Sequence, residues 1–330
     1  MIQETGDGTP LVSVVIPTVD RTGSLRRAVE SALASGPTGE VEAVVVPNGG
    51  AVAWREALAD LLGNPLVRIF PIPEANANGA RNEGVRRARG GLIRFLDDDD
   101  VLLPEGASRQ HAVMLEGGFD LVVGRIEARG PRGGLLRTYP ARRCDDFCES
   151  VASPRHYLLV HAPVFRTELA RRRPWDEGDP FSHERLWHLA LCADGEIRWG
   201  WLEEPVGIWN HHAGGRISTS HGLHDHRIAV ARGLAGLART LEAQGRMTPG
   251  RRTALAEGIW SLLYPVFPIH PVLWTRMARR ARRLDPAARP IQRPWVLPGL
   301  RAVSPLALSF ALSPVMLAAV LRRLLSGRLH

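Results

Sequence analysis

The sequence predicts an α/β fold, a mostly parallel central sheet within residues 1–225, followed by a basic helical region at 226–330. Three observations carry this reading. Short β-branched runs alternate with amphipathic helical segments up to residue 100. The links between them are only a few residues long, as in parallel sheets with right-handed crossovers. Charge then separates along the chain: residues 227–330 hold 17 Arg against Glu242, Glu257 and Asp285, a net of +14 within a whole-chain net of +8.

Leu11-Val12-Ser13-Val14-Val15-Ile16-Pro17 is a β-branched run closed by proline, the pattern of a buried first strand. Residues 22–34 read as a helix, capped by Thr22 or Ser24, with Leu25, Ala28, Val29, Ala32 and Leu33 as its apolar stripe. A second strand over 41–46 ends at Pro47-Asn48-Gly49-Gly50, and a helix over 52–62 follows. A third strand over 66–70 leads through Asn76-Ala77-Asn78-Gly79 into a short basic helix over 80–89. Leu92-Ile93-Arg94-Phe95-Leu96 is the fourth strand, and it runs straight into Asp97-Asp98-Asp99-Asp100. Four adjacent carboxylates repel one another unless water or a cation separates them. A solvated acidic turn and a divalent-cation site for a phosphorylated ligand are the two readings, and open α/β sheets favour the second by placing ligands at the carboxyl ends of their strands.

Beyond Asp100 the pattern becomes mixed. A helix starts at Leu103-Pro104-Glu105 and runs to Leu115, with Pro in its first turn. Strands are predicted over 120–126 and 135–139, separated by the turn Gly130-Pro131-Arg132-Gly133-Gly134, and over 157–165 and 197–201, with a helix over 180–192 between the last two. Helical periodicity returns over 226–244 and 249–264, after which prolines punctuate the chain. Residues 302–321 carry no charge, a length that just spans a bilayer. Pro305 and Pro314 make it a poor spanning helix, so a paired core helix stands beside that reading.

Composition narrows the class. Apolar residues at 45% and charged at 23% are those of a folded globular chain and not of a disordered one. Cys144, Cys148 and Cys192 form no CxxC, which points away from a disulfide framework or a zinc site and toward free thiols in a reducing cytoplasm. The first seven residues have neither a basic start nor an apolar core, so nothing there directs export.

Three stretches, Val12-Ser13-Val14-Val15-Ile16-Pro17-Thr18, Asn78-Gly79-Ala80-Arg81-Asn82-Glu83-Gly84 and Phe95-Leu96-Asp97-Asp98-Asp99-Asp100, together resemble the inverting glycosyltransferases of family 2, which have the GT-A fold. The resemblance spans about residues 11–220 and does not extend over 227–330. It implies a nucleotide-sugar donor, UDP-linked in the first instance, and a Mn²⁺ or Mg²⁺ cofactor. It also implies that Asp97 and Asp98 face the donor and Asp99 binds the metal. A departing diphosphate gains negative charge, which a dication held by hard oxygen ligands offsets. Pro17, Thr18 and Asp20 match the loop that lines the nucleoside pocket, with Asp20 where Asn is more usual. Asn78 and Arg81 match the donor-binding helix, Arg81 as a clamp for phosphate or nucleoside.

Two departures from the family pattern stand out. After the second strand, where an Asp commonly reads the uracil edge, this chain has Pro47-Asn48; either Asn48 substitutes through its amide or the base is not uracil. The family's Glu-Asp pair, which supplies the catalytic base, falls in Trp175-Asp176-Glu177-Gly178-Asp179-Pro180-Phe181-Ser182-His183-Glu184-Arg185-Leu186-Trp187. A one-residue choice of register leaves Glu184 first, His183 second and Asp179 third as proton acceptor. Downstream, Trp209-Asn210-His211-His212-Ala213-Gly214-Gly215 resembles a late loop whose His joins the metal or the diphosphate, and His212 fits its spacing best.

Two other readings stay open. One is a GT-A module that binds nucleotide sugars without turning them over; the other, a sugar nucleotidyltransferase, is disfavoured because Pro17-Thr18-Val19-Asp20-Arg21 is not that class's Gly-rich loop. The tail combines Arg276, Arg279, Arg280, Arg282 and Arg283 with Trp260, Trp274 and Trp295. This pattern predicts peripheral attachment to an anionic, cytoplasmic membrane face and a lipid-linked, cell-envelope or small-molecule acceptor. A homodimer interface and a solvated basic face are the competing explanations. No nucleic-acid reader motif accompanies the charge.

Overall fold

Every residue of the first strand, β1 (Val12–Thr18), is buried, because Val12, Val14, Val15 and Ile16 supply apolar side chains to both faces of a sheet. The structure is a computed structural model that describes residues 9–19, 22–140, 144–179, 184–211, 223–263, 267–291, 297–300 and 303–325. The chain falls into two compact units. The first comprises Met1–Arg143, Leu158–Trp187 and Glu196–Ala213, and the second Cys144–Tyr157, His188–Gly195 and Gly214–His330. A division at residue 225 follows charge along the chain, whereas this one follows packing and draws two short inner segments into the helical unit.

In the first unit β1 pairs in parallel with β2 (Val41–Pro47) and β4 (Leu92–Phe95), and β2 pairs in parallel with β3 (Val67–Ile69). Beyond β4 the sheet is mixed. β8 (Pro163–Arg166) runs antiparallel to both β4 and β6 (Leu121–Arg129), while β9 (Trp199–Asn210) is parallel to β6. The short β5 (Val101–Leu102) pairs with β9, and β7 (Leu135–Tyr139) forms a hairpin with β6. The order is β3-β2-β1-β4-β8-β6-β9-β5. The expected strand over 157–165 shrinks to β8, and that over 197–201 lengthens into β9, which carries the chain back to the end of β4.

Helix α1 (Thr22–Leu33) buries Leu25, Ala28, Val29 and Ala32 against Val12, Val14 and Ile16. The helix expected over 52–62 is broken: α2 (Trp54–Ala57) stops where Leu58 turns wholly into the core, so tertiary burial overrides local helical preference. Helix α3 (Ala77–Arg87) covers the opposite face of β1. There a Cβ on Gly84 would collide with the side chain of Val15, so the glycine sets how closely helix and strand approach. Helices α4 (Pro104–Glu116) and α6 (Thr167–Arg172) complete the cover.

Glu42 of β2 clamps the end of the sheet opposite its carboxyl ends. Its carboxylate is fully buried and accepts from Ser13 Oγ at 2.6 Å, Arg89 N and Nε at 2.8 Å each, and an Arg68 guanidinium nitrogen at 3.1 Å. Burial alone raises its pKa, but these donors outweigh burial and hold it below 4.5. A depressed carboxyl stabilises the fold above its unfolded pKa and loses that contribution as pH falls through its folded value. Glu42→Gln is expected to lower unfolding free energy by about 2 kcal/mol at neutral pH. The gap to the wild type should narrow as pH falls below 4.5; a gap independent of pH in urea titrations would contradict this role.

The second unit holds α5 (Phe147–Ala152), the later residues of α7 (Glu184–Asp194), and α8 (Leu223–Ala243), α9 (Pro249–Leu263), α10 (Pro271–Leu284) and α11 (Pro305–Leu325). Arg251 is buried and joins the pieces: Nε donates to Asp146 Oδ2 at 2.9 Å and a guanidinium nitrogen to Arg246 O at 2.8 Å. Trp260 and Trp274, expected at a membrane interface, are instead fully buried core residues of this unit. Trp295 lies outside the described residues. Among the described residues no helix is long and apolar enough to cross a membrane.

Candidate functional site

The carboxyl ends of β1, β2 and β4 bring the sequence motifs together. The acidic run after β4 folds into a tight turn, with Asp100 N donating to Asp97 O at 3.1 Å, and its carboxylates alternate in environment. Asp98 and Asp100 are buried, while Asp97 and Asp99 are half-buried. Thr18 Oγ1 donates to Asp98 Oδ2 at 2.6 Å, tying the end of β1 to the turn. Asn210 N donates to Asp100 Oδ1 at 2.8 Å, and Asn210 Nδ2 to Asp99 O at 2.9 Å. The four-acid run is thus a held turn, with one oxygen each of Asp98 and Asp100 engaged by Thr18 and Asn210.

Carboxylate oxygens of Asp97, Asp99 and Asp100 lie within 4.8 Å of one another. Three hard, anionic oxygens at that spacing suit Mg²⁺ or Mn²⁺. Asp97 is also salt-bridged to Arg81 at 3.0 Å and keeps 42% of its side chain exposed. Burial pushes the Asp97 carboxyl upward, Arg81 opposes this, and Asp99 and Glu184 add to it. Water on the exposed part screens much of that effect. The influence of Glu184 places its charge within electrostatic reach of Asp97.

Beneath the turn lies a buried cation. Arg94 of β4 is fully buried; one guanidinium nitrogen donates to His161 O at 3.0 Å and another lies 3.2 Å from His111 Nε2. Burial pushes Arg94 down to about 9, so it stays charged at neutral pH. His161 is pushed to about 3 by burial and by Arg94, and His111 well below 6.5, so both rings are neutral. His161 Nδ1 stands 3.5 Å from Asp100 Oδ2, and with the ring neutral the pair is neither an ion pair nor a hydrogen bond. Arg94 was visible in the sequence only as an interruption of an apolar strand, and its partners come from 17 and 67 residues away.

Helix α3 supplies the second wall. Asn76 caps it, accepting from Gly79 N at 3.0 Å, so Asn78, Arg81 and Asn82 fall on its first turns, all buried. Arg81 donates to Asn78 Oδ1 and Asp97 Oδ1, both at 3.0 Å, and its guanidinium lies 4.7 Å from the Trp175 ring centre. Asn78 Nδ2 donates to Asp176 O at 2.7 Å. Asn82 Nδ2 donates to Glu177 Oε1 at 2.7 Å and Trp175 O at 2.9 Å, and its Oδ1 accepts from Trp175 N at 2.8 Å. The two asparagines therefore pin the loop leading to α7. Asn82 and Trp175 are site-building residues that sequence reasoning passed over, although the Asn78/Asn82 spacing of one helical turn was there to be read.

Trp175 stacks on Trp187 of α7 with centroids 4.4 Å apart, and Phe95 meets both edge-on at 5.1 and 5.6 Å. The packing fixes the first turn of α7, where Glu184 is the first helical residue and half-buried. Asp179 sits in the preceding loop, its N donating to Asp176 O at 3.1 Å. Asn48 is buried, with both its backbone N and Nδ2 donating to Thr18 O at 3.0 Å. This amide nitrogen already joins β2 to β1. Pro17 lies in β1 opposite Val46. Asp20, His183 and His212 lie outside the described residues.

A model of glycosyl transferase family 2 matches residues 13–187, a span that contains all these elements up to Trp187. The succinoglycan biosynthesis protein ExoO of Rhizobium meliloti (strain 1021) is 33% identical over 135 residues, covering 40% of this chain and 38% of that protein. The glycosyltransferase AglE of Haloferax volcanii is 26% identical over 141 residues, covering 42% and 45%. The aligned part is less than half the length of these relatives. Among solved structures, S. aureus TarS 1-349 in complex with UDP-GlcNAc superposes with a TM-score of 0.64 at 15% identity, covering 96% of this chain and 92% of that one. The mannosyltransferase PcManGT of Pyrobaculum calidifontis, in complex with GDP-Man and Mn²⁺, gives 0.52 at 17% identity, covering 96% and 87%. The fold is therefore GT-A, with a helical C-terminal region.

Proposed function

We propose, from the premise that the chain belongs to glycosyl transferase family 2, that it transfers a sugar from a nucleotide-sugar donor to an acceptor hydroxyl with inversion at the anomeric carbon. The observation that carries this reading is the convergence of Arg81, Asp97 and Asp99 at the end of β4, where the charge of Glu184 also acts on Asp97. Arg81, fixed by Asn78, Asp97 and Trp175, holds donor phosphate or nucleoside oxygens. Thr18, Asn48 and Pro17 shape the nucleoside pocket, UDP first among the nucleotides, and Asp20 is a further donor-binding candidate. Asp97 faces the donor sugar or ribose, and Asp98 keeps the turn in place beneath it through Thr18.

Glu184 takes the proton of the acceptor hydroxyl; His183 and Asp179 are the second and third candidates. The acceptor oxygen then forms its bond to the anomeric carbon from the face opposite the diphosphate. The donor bond breaks with its electron pair passing to the diphosphate oxygen. Asp99, with Asp97 and Asp100 beside it and His212 from the later loop, would hold Mn²⁺ or Mg²⁺. Such an ion supplies neutralisation of the charge gained by the leaving diphosphate.

Incubation with UDP-, GDP-, dTDP- and CDP-sugars and Mn²⁺ tests the reaction. Nucleoside diphosphate release that rises with an acceptor and stops in EDTA is expected. Pyrophosphate release would mean a nucleotidyltransferase, and binding without release a module that only captures donor. The arginines of the tail lead us to place the protein on an anionic membrane face, peripherally and on the cytoplasmic side, with a lipid-linked, cell-envelope or small-molecule acceptor. Protein left in the supernatant with anionic vesicles at low salt would remove that location.

A further inference from the structure

Helix α10 carries five arginines and no acid: Arg276, Arg279, Arg280, Arg282 and Arg283. Three of them, Arg276, Arg280 and Arg283, recur at helical spacing on one face and line a cleft of about 340 Å³ with Glu242, Met277 and Leu284. None of these three forms an ion pair among the described residues, while Glu242 is 3.6 Å from Arg252. Arg280 is held below the usual arginine range by burial and by Arg239 and Arg283, with only Glu242 opposing. Positive charge is therefore concentrated at a concave site without matching carboxylates. Such an arrangement attracts an anion.

We propose that this cleft binds a phosphate group, with the guanidinium groups of Arg276, Arg280 and Arg283 around its oxygens and Met277 and Leu284 against the moiety it is attached to. Phosphate fits better than a carboxylate because it offers more acceptor oxygens and more charge to planar guanidinium forks. The ligand is a lipid headgroup or a soluble phosphorylated molecule. The site rests on the cleft alone, so it stands or falls separately from sugar transfer and from the membrane location.

The test uses the full chain in EDTA and low salt, so that metal-dependent donor binding does not contribute. Inorganic pyrophosphate binding is measured by calorimetry, and co-sedimentation is measured with phosphatidylcholine vesicles containing or lacking phosphatidylglycerol. R276Q/R280Q/R283Q is compared with R232Q/R279Q/R282Q, which removes equal charge outside the cleft. The single variant R280Q guards against misfolding of the triple variant. Pyrophosphate or vesicle binding is expected to weaken by at least about tenfold in the cleft variant and far less in the control. Loss in the vesicle arm with competition by pyrophosphate identifies a lipid headgroup; loss in the pyrophosphate arm alone identifies a soluble ligand. Equal weakening in both triple variants, or no binding of either probe by the wild type, overturns the site.

Discussion

Asp99→Asn is expected to lower turnover about 10³-fold and to erase the Mn²⁺ dependence of nucleotide binding, because a neutral amide is a poor ligand for a hard dication. The effect should be specific to its place in the turn. Asp98 is buried and accepts from Thr18 Oγ1, and Asn at position 98 still offers that hydroxyl an acceptor, so Asp98→Asn should cost much less. Asp97→Asn removes the partner of Arg81 and should weaken donor binding even where the metal is saturating. Rates at several Mn²⁺ concentrations separate these variants. Undiminished turnover in EDTA would end the metal assignment.

Glu184→Gln should lower kcat by at least about 10²-fold while leaving nucleotide affinity nearly unchanged, the signature of a lost proton acceptor. Glu184 opens α7 one turn before Trp187, and Trp187 is fixed by stacking on Trp175 and by its Nε1–H donating to Arg173 O at 2.7 Å. The proposed base is thus carried on a helix start fixed by packing, where Gln should keep the geometry and remove only the basicity. His183→Ala and Asp179→Asn are the necessary comparisons. A large loss in His183→Ala with a small one in Glu184→Gln would move the base by one residue.

Local pattern made the parallel half of the sheet legible, since β1, β2 and β4 are largely apolar runs, broken within only by Ser13, Glu42 and Arg94, as strands buried on both faces are. The helix over 52–62 was not, because Leu58 leaves the helical path for the core. The tryptophans of the tail have the chemistry of interfacial residues, but the side-chain packing of the helices puts Trp260 and Trp274 inside. The same holds for Asn78: a polar residue in a donor-binding motif, it is engaged through Nδ2 with the carbonyl of Asp176, 98 residues away.

The sequence by itself determined the alternation of strands and helices up to β4, the acid run at the end of β4, the Asn-Gly-Ala-Arg start of α3 and the basic tail. These depend on neighbours along the chain, where periodicity, capping and charge act directly. Only the tertiary structure decided which acids of Asp97 to Asp100 turn inward, that Arg94 lies buried beneath them, that Asn82 and Trp175 build the wall of the site, and that Arg276, Arg280 and Arg283 face a cleft. Each of these is set by partners distant in sequence: Thr18 lies 80 residues from Asp98, and Asn210 110 from Asp100. A buried polar group is stable only beside the partner that satisfies it, and that partner is chosen when the sheet closes and not by the residues on either side.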